Sequence, residues 1–395
     1  MHPGPPGDEQ PGYGWLLPPS SGSVRAMRPS ALVPVFILAI SSSYACGGPA
    51  IPETDVVDEL AAPGPHAVGY RSVSVRYTPP HATSPRMIQV LAWYPAQPAT
   101  GERPIYLLRP STVATTDAPP LDLGPRPVVV FTHGHQAYAS VVSYLMEHLA
   151  SHGYIVLSPS HTGNTFVDGP DRTNDIYWLR PLDVRAALDY FLTASDAPPI
   201  GKLGPDAVVM GHSFGGYTAF AAAGARYAVD ELVAACRAGT GDSSFCKEFD
   251  ADAEATFRAG LADARFRGVI SIDPGNFDLF GAAGVAQVHV PTLMMVAELS
   301  GHPAARPAAD PYWSALTGTT DTRALLLGGD HNDFMDTCAS GVEVRCSKLP
   351  PPQVWRPVRI YSLAFLRALL DGDQRVAPIL SGTRSISPLF EVIAR

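Results

Sequence analysis

Lysine is almost absent from this chain. Lys202, Lys247 and Lys348 are the lysines of a 395-residue sequence, so its 28 basic residues are nearly all arginines, against 37 acidic ones. The formal net charge is −9 and no basic tract occurs. That argues against nucleic acid as a partner, because phosphate recognition needs clustered cations. A membrane-length apolar run is not apparent either: Ala31 to Ile40 covers about ten residues, too few to be a comfortable span. Cysteine is scarce, with five residues. Neither local pair has C-x-x-C spacing or a histidine at ligand spacing, which argues against a structural metal site. No internal repeat is visible.

What is present is a globular composition, 46% hydrophobic and 16% charged, enough for a large core. Forty prolines are about twice the usual share, many of them towards the two ends of the chain. Residues 1–46 read as an N-terminal extension and signal peptide. Arg25 and Arg28 form a basic region, Ala31 to Ile40 an apolar one, and Ser41 to Ala45 a small-residue cleavage zone before Cys46. The expected start is Met27, where a signal peptide would normally begin. Ala45-Cys46-Gly47-Gly48 resembles a bacterial lipobox with Ser43 in place of the usual leucine, so Cys46 is the expected lipidation site; ordinary secretion is the alternative. Setting Cys46 aside leaves the pairs Cys236/Cys246 and Cys338/Cys346, which in an oxidising compartment would form two short-loop disulfides. The expected location is the cell envelope or outside the cell, with membrane contact through the anchor if Cys46 is acylated.

Residues 47–65 read as a flexible tether and 66–395 as one domain. Val68 to Tyr77 and Met87 to Tyr94 alternate in polarity, as a half-exposed antiparallel pair would. Ala96 to Pro127 is Pro-rich and without periodicity. Val128 to Phe131, Tyr154 to Ser158, Val208 to Met210, Val269 to Ile272, Leu293 to Val296 and Arg323 to Leu327 are short apolar strands. Amphipathic helices between them include one from about Pro181 and a last one from about Trp355 to Leu370. The alternation predicts an α/β fold, a mostly parallel twisted sheet with helices on both faces. Residues 225–266 break the rhythm and read as a helical excursion, a lid being one reading of it.

Gly211-His212-Ser213-Phe214-Gly215 is a G-x-S-x-G elbow between a strand and an Ala-rich helix, a turn that holds a serine hydroxyl clear of the sheet. Ser213, Asp273 and His331 end successive strand segments in the serine–acid–histidine order of α/β-hydrolases. A serine hydroxyl needs a base near pH 7, and a buried carboxylate orients that base and stabilises its charged form. Asp273 is the expected acid, since it ends an otherwise apolar strand, and Glu298 is the alternative. Backbone N–H groups of Phe214 and His135 are the expected oxyanion donors. His133 and His135 could be read as a metal pair, but alternate residues of a loop with no carboxylate or cysteine nearby make a weak site. The reading therefore has no metal and no cofactor.

The set Phe131-Thr132-His133-Gly134, Leu149-Ala150-Ser151-His152-Gly153-Tyr154, Arg180-Pro181-Leu182-Asp183-Val184 and Gly211-His212-Ser213-Phe214-Gly215-Gly216 resembles the platelet-activating-factor acetylhydrolase family and its bacterial relatives, often labelled predicted dienelactone hydrolases. The resemblance runs from about Val68 to Leu370. It implies an acid on the strand directly after the elbow helix, which is Asp273, a base at His331 and oxyanion donors at His135 and Phe214. Dienelactone hydrolases proper use a cysteine nucleophile where this chain has Ser213. The lipobox and residues 225–266 depart from the animal lipid-hydrolysing members. The expectation is a serine hydrolase of carboxylic esters, short-chain or lipid-like, acting through an acyl-enzyme. Rivals are phospholipase A2-like, polyester-hydrolase or acyltransferase activity, or a catalytically silent envelope-binding lipoprotein. Oligomeric state is not legible.

Overall fold

Successive residues of a strand face opposite ways, and here both faces are apolar. Val128 and Val130 enter one buried cluster, Val129 and Phe131 the other. Such a strand must lie inside a sheet covered on both sides. A computed structural model describes residues 55–107, 109–168, 175–300, 309–340 and 344–395. The signal peptide, Cys46 and residues 47–54 of the tether lie outside these residues.

The strands are β1 (Ala67–Tyr77), β2 (Arg86–Ala96), β3 (Ile105–Tyr106), β4 (Arg109–Pro110), β5 (Ala114–Thr116), β6 (Pro125–Thr132), β7 (Ile155–Ser160), β8 (Lys202–His212), β9 (Phe266–Ile272), β10 (Thr292–Ala297), β11 (Thr322–Leu326) and β12 (Phe390–Ala394). Ten of them form one sheet in the order β12-β11-β10-β9-β8-β6-β7-β2-β1-β5, while β3 and β4 make a separate small hairpin. From β11 to β7 neighbours run parallel; β12 on β11, β2 on β7 and β1 on β2 run antiparallel. The β1–β2 pair agrees with the alternation read from the sequence, in register Val73 opposite Val90. β3, β4 and β5 occupy a stretch in which no periodicity was legible, because strands of two or three residues are too short to carry one.

Eleven α-helices occur among the described residues: α1 (Val56–Ala61), α2 (Ser143–Ser151), α3 (Ile176–Thr193), α4 (Phe214–Ala223), α5 (Val229–Ala238), α6 (Ser243–Glu248), α7 (Ala251–Ala259), α8 (Gly281–Val285), α9 (Asp310–Ala315), α10 (Pro351–Leu366) and α11 (Ala377–Leu380). α1, α2 and α10 cover one face of the sheet; α3, α4 and the excursion α5 to α7 cover the other. None is long and apolar enough to cross a membrane.

Two expectations are corrected. The tether is not unstructured throughout: α1 buries Val56 and Leu60 beside α10, and Gly64 N donates to Ser151 Oγ at 2.9 Å. Two apolar residues spaced i, i+4 suffice once a partner helix is present, although they give little signal in a Pro-rich context. Pro181 does not start its helix. α3 begins at Ile176 and carries Pro181 in its interior. A proline there cannot donate to the carbonyl four residues back, and the Tyr217 hydroxyl donates to that carbonyl, Tyr177 O, at 2.9 Å.

The excursion is three helices, and the Cys236–Cys246 disulfide links α5 to α6. Phe245 and Phe257 anchor it against Tyr177 and Trp178 of α3. Cys338–Cys346 closes the second loop. Both pairings are those read from the sequence.

Candidate active site

Ser213 follows β8 with φ 57° and ψ −121°, and α4 begins at the next residue. A positive φ is costly for a residue with a side chain, and the turn is held by its neighbours. Ser213 N donates to Ile272 O at 2.8 Å, and Gly275 N donates to Ser213 O at 3.3 Å. The elbow has no room for side chains: a Cβ on Gly215 would collide with the Thr132 carbonyl, and one on Gly211 with the Gly215 carbonyl.

Asp273, at the end of β9 with φ 46°, is almost fully buried. Its Oδ2 lies 2.5 Å from Nδ1 of His331, which follows β11. Ala297 N donates to Asp273 Oδ1 at 3.2 Å, and Ser300 Oγ lies 3.0 Å from both carboxylate oxygens. The carboxylate therefore keeps partners on both oxygens while facing the imidazole. Burial alone would lower the His331 pKa, but the hydrogen bond and charge of Asp273, with Asp330 adding, raise it above the ordinary histidine value. Glu298, the alternative acid, points elsewhere: its carboxylate accepts Gly328 N at 2.7 Å.

The elbow and the His331 loop meet through His212. Its Nε2 lies 2.9 Å from His331 O, and the two rings are 4.6 Å apart between centroids. Burial and the nearby His331 push the His212 pKa down to about 3, so its ring is neutral and donates from Nε2. The His331 loop is itself braced. Asp330 accepts His331 N at 2.7 Å, Asp333 accepts Asp330 N at 2.8 Å, and Arg345 Nε donates to Asp330 Oδ2 at 2.7 Å.

The loop after β6 passes over the serine: a Cβ on Gly134 would sit 3.3 Å from Ser213 Cβ. His135 and Phe214 rings approach edge-on at 6.1 Å, so the two expected oxyanion donors are carried by adjoining segments. The Phe214 N–H opens α4, where amides lack partners within the helix. His133 is ill suited to a metal. Its Nδ1 lies 2.8 Å from Gly134 O and its Nε2 accepts His161 N at 3.1 Å, while burial and the Arg180 charge depress its pKa well below the usual value.

A solved structure of a ferulic acid esterase from Streptomyces cinnamoneus superposes with a TM-score of 0.62 at 22% identity, covering 84% of this chain and 98% of that one. The fold is that of the α/β-hydrolases. A family model described as Chlorophyllase matches residues 108–235. Chlorophyllase-2 of Arabidopsis thaliana is 36% identical over 113 residues, 27% of this chain and 32% of that protein. A cutinase of Thermobifida alba is 23% identical over 253 residues, 64% of this chain and 62% of its own length. The chain thus spans about a third of the chlorophyllase and under two thirds of the cutinase. The family-model match holds the elbow but stops short of Asp273 and His331.

Three contributions to this site were not legible in the sequence. Ser300, two residues beyond the alternative acid Glu298, donates to the Asp273 carboxylate. His212 is only the variable position of the elbow motif, with no signal that it would clasp His331. Arg180 is fully buried: its guanidinium donates to Asn164 Oδ1 at 2.7 Å, to Thr132 Oγ1 and Thr218 Oγ1 at 3.2 Å and to His133 O, and lies 4.7 Å over the Phe214 ring. Asn164 Nδ2 in turn lies 2.8 Å from His135 Nδ1. One arginine thus joins the loop after β6, the loop after β7 and the elbow helix. The available signal was an arginine on the buried side of an apolar helix.

Proposed function

We propose that the chain is a serine hydrolase of carboxylic esters. Ser213 attacks the ester carbonyl while His331 accepts the serine hydroxyl proton at Nε2. Asp273 holds His331 Nδ1–H and stabilises the imidazolium that forms. The N–H groups of Phe214 and His135 receive the oxyanion of the tetrahedral intermediate. His331 then returns the proton to the leaving alcohol, an acyl-enzyme remains on Ser213, and water activated by the same histidine releases the acid. No metal or cofactor takes part in this scheme.

The observation that carries the reading is the 2.5 Å contact of His331 Nδ1 with the buried Asp273, clasped through His212 to an elbow serine at φ 57°. Chlorophyllase, cutinase and ferulic acid esterase are all names of ester-cleaving enzymes, and the likenesses to them support an ester as the substrate. Short-chain and lipid-like esters are the substrate classes we propose. The two disulfides support export to an oxidising compartment, with lipidation at Cys46 the proposed anchor.

The direct test is a panel of p-nitrophenyl esters of increasing acyl length on wild type and Ser213→Ala, with fluorophosphonate labelling. Wild type should turn over at least one ester and label at Ser213, and the variant should lose about three orders of magnitude or more in kcat. Inactivity across the panel together with an unlabelled Ser213 would sink the reading.

A further inference from the structure

Large apolar side chains left in water on the catalytic edge call for a reason. Phe166 is 55% exposed and Val167 74% exposed, side by side on the loop after β7. Loose backbone does not explain the exposure. Thr165 bridges Ala137 in the loop after β6, and Phe166 N donates to Ala137 O at 3.2 Å. Asp168 Oδ2 accepts Thr165 N at 2.7 Å, Thr165 Oγ1 at 2.6 Å and Gly163 N at 3.0 Å. Asn164, two residues before Phe166, is tied to both Arg180 and His135. The Phe166 ring rests edge-on against Tyr138, with centroids 6.0 Å apart. An aromatic ring is thus held outward by a loop zipped to the one that carries His135.

The chemistry of the site gives the two halves of an ester different sides. The leaving oxygen must accept its proton from His331, so the alcohol lies towards that residue. His331 follows β11 and Phe166 follows β7. In the sheet order β11-β10-β9-β8-β6-β7 they stand on opposite sides of Ser213, which follows β8. With the alcohol towards His331 and the oxyanion on the Phe214 and His135 amides, the acyl half is left to extend past them, on the side where the loop after β7 lies. We propose that Phe166, with Val167 beside it, is the acyl-selecting wall of the site, and that it favours esters of apolar acids of about six carbons or more over acetates, a chain of that size having enough apolar area to cover the ring. This inference rests on the ester-hydrolase reading and adds the substrate half that discriminates.

The test compares full-length wild type, Phe166→Ala and Phe166→Leu. One arm holds the leaving group constant with p-nitrophenyl acetate and p-nitrophenyl hexanoate. The other holds the acyl group constant with methyl acetate and hexyl acetate. Phe166→Ala should lower the hexanoate-to-acetate ratio of kcat/KM about tenfold, chiefly through KM, and Phe166→Leu should recover most of it. The methyl-to-hexyl ratio should stay within about twofold. Thermal melts confirm that each variant folds, as an outward side chain allows. An unchanged acyl ratio, or a change that follows the alcohol instead, overturns the proposal while leaving the ester-hydrolase reading intact. A wild type that cleaves none of the four esters and takes no fluorophosphonate overturns both.

Discussion

Asp273 is held by more than its imidazole. Ala297 N donates to Oδ1 and Ser300 Oγ lies within reach of both oxygens, so His331 is not alone in orienting the carboxylate. Its charge is what offsets burial and raises the His331 pKa. A base works in its neutral form, so the acid limb of kcat/KM should lie above pH 6.5, with activity rising as pH climbs through the His331 pKa. Asp273→Asn removes the charge and misdirects the ring. The limb should move to lower pH and kcat should fall by about 10³–10⁴. A pH–rate profile of both proteins checks this, and an unmoved limb would contradict the coupling.

Loops and helices set the site at the next scale. α4 starts at the serine, α3 supplies Arg180 beneath the loop that carries His135, and the His331 loop is stapled by Cys338–Cys346. Both disulfides close short loops, with sequence separations of 10 and 8. By loop-closure entropy each should contribute about 2.5 kcal/mol. Paired serine substitution at either site should therefore cost similar stability in denaturant titrations. Activity should separate them: loss of Cys338–Cys346 loosens the loop behind His331 and lowers kcat, whereas loss of Cys236–Cys246 loosens α5 against α6 and leaves kcat close to wild type. Equal effects on kcat would count against this division.

Across the whole molecule, buried ionisable groups pull pH stability in opposite directions. His133, His148, His161 and His212 are held neutral by burial, so they favour the fold as pH rises. Asp336 acts the other way. Burial, with the Glu147 charge adding, pushes its carboxyl up to about 7 although Ser143 N and Oγ donate to Oδ2. A folded pKa above the unfolded one gives stability that is complete below pH 3.8 and lost as pH rises through about 7. Asp336→Asn has no such loss. Its stability relative to wild type should therefore improve between pH 4 and pH 8 by on the order of 4 kcal/mol. Thermal melts at the two pH values decide it, and a constant difference would refute it.

Much of this architecture was legible from local pattern alone. Short apolar runs specified the central strands because a strand buried on both faces tolerates little else. The Gly spacing specified the elbow because backbone contact leaves no room for Cβ, and the spacing of four cysteines limited their pairing. The order of strand ends was enough to single out Ser213, Asp273 and His331 as candidates. Tertiary structure alone decided the sheet order, the burial of α1, the interior place of Pro181, and the partners of Ser300, His212 and Arg180. The reason is physical: a run of residues records which way its own backbone prefers to bend and which face is apolar. A hydrogen bond between residues far apart in the chain exists only once the strands between them have been placed.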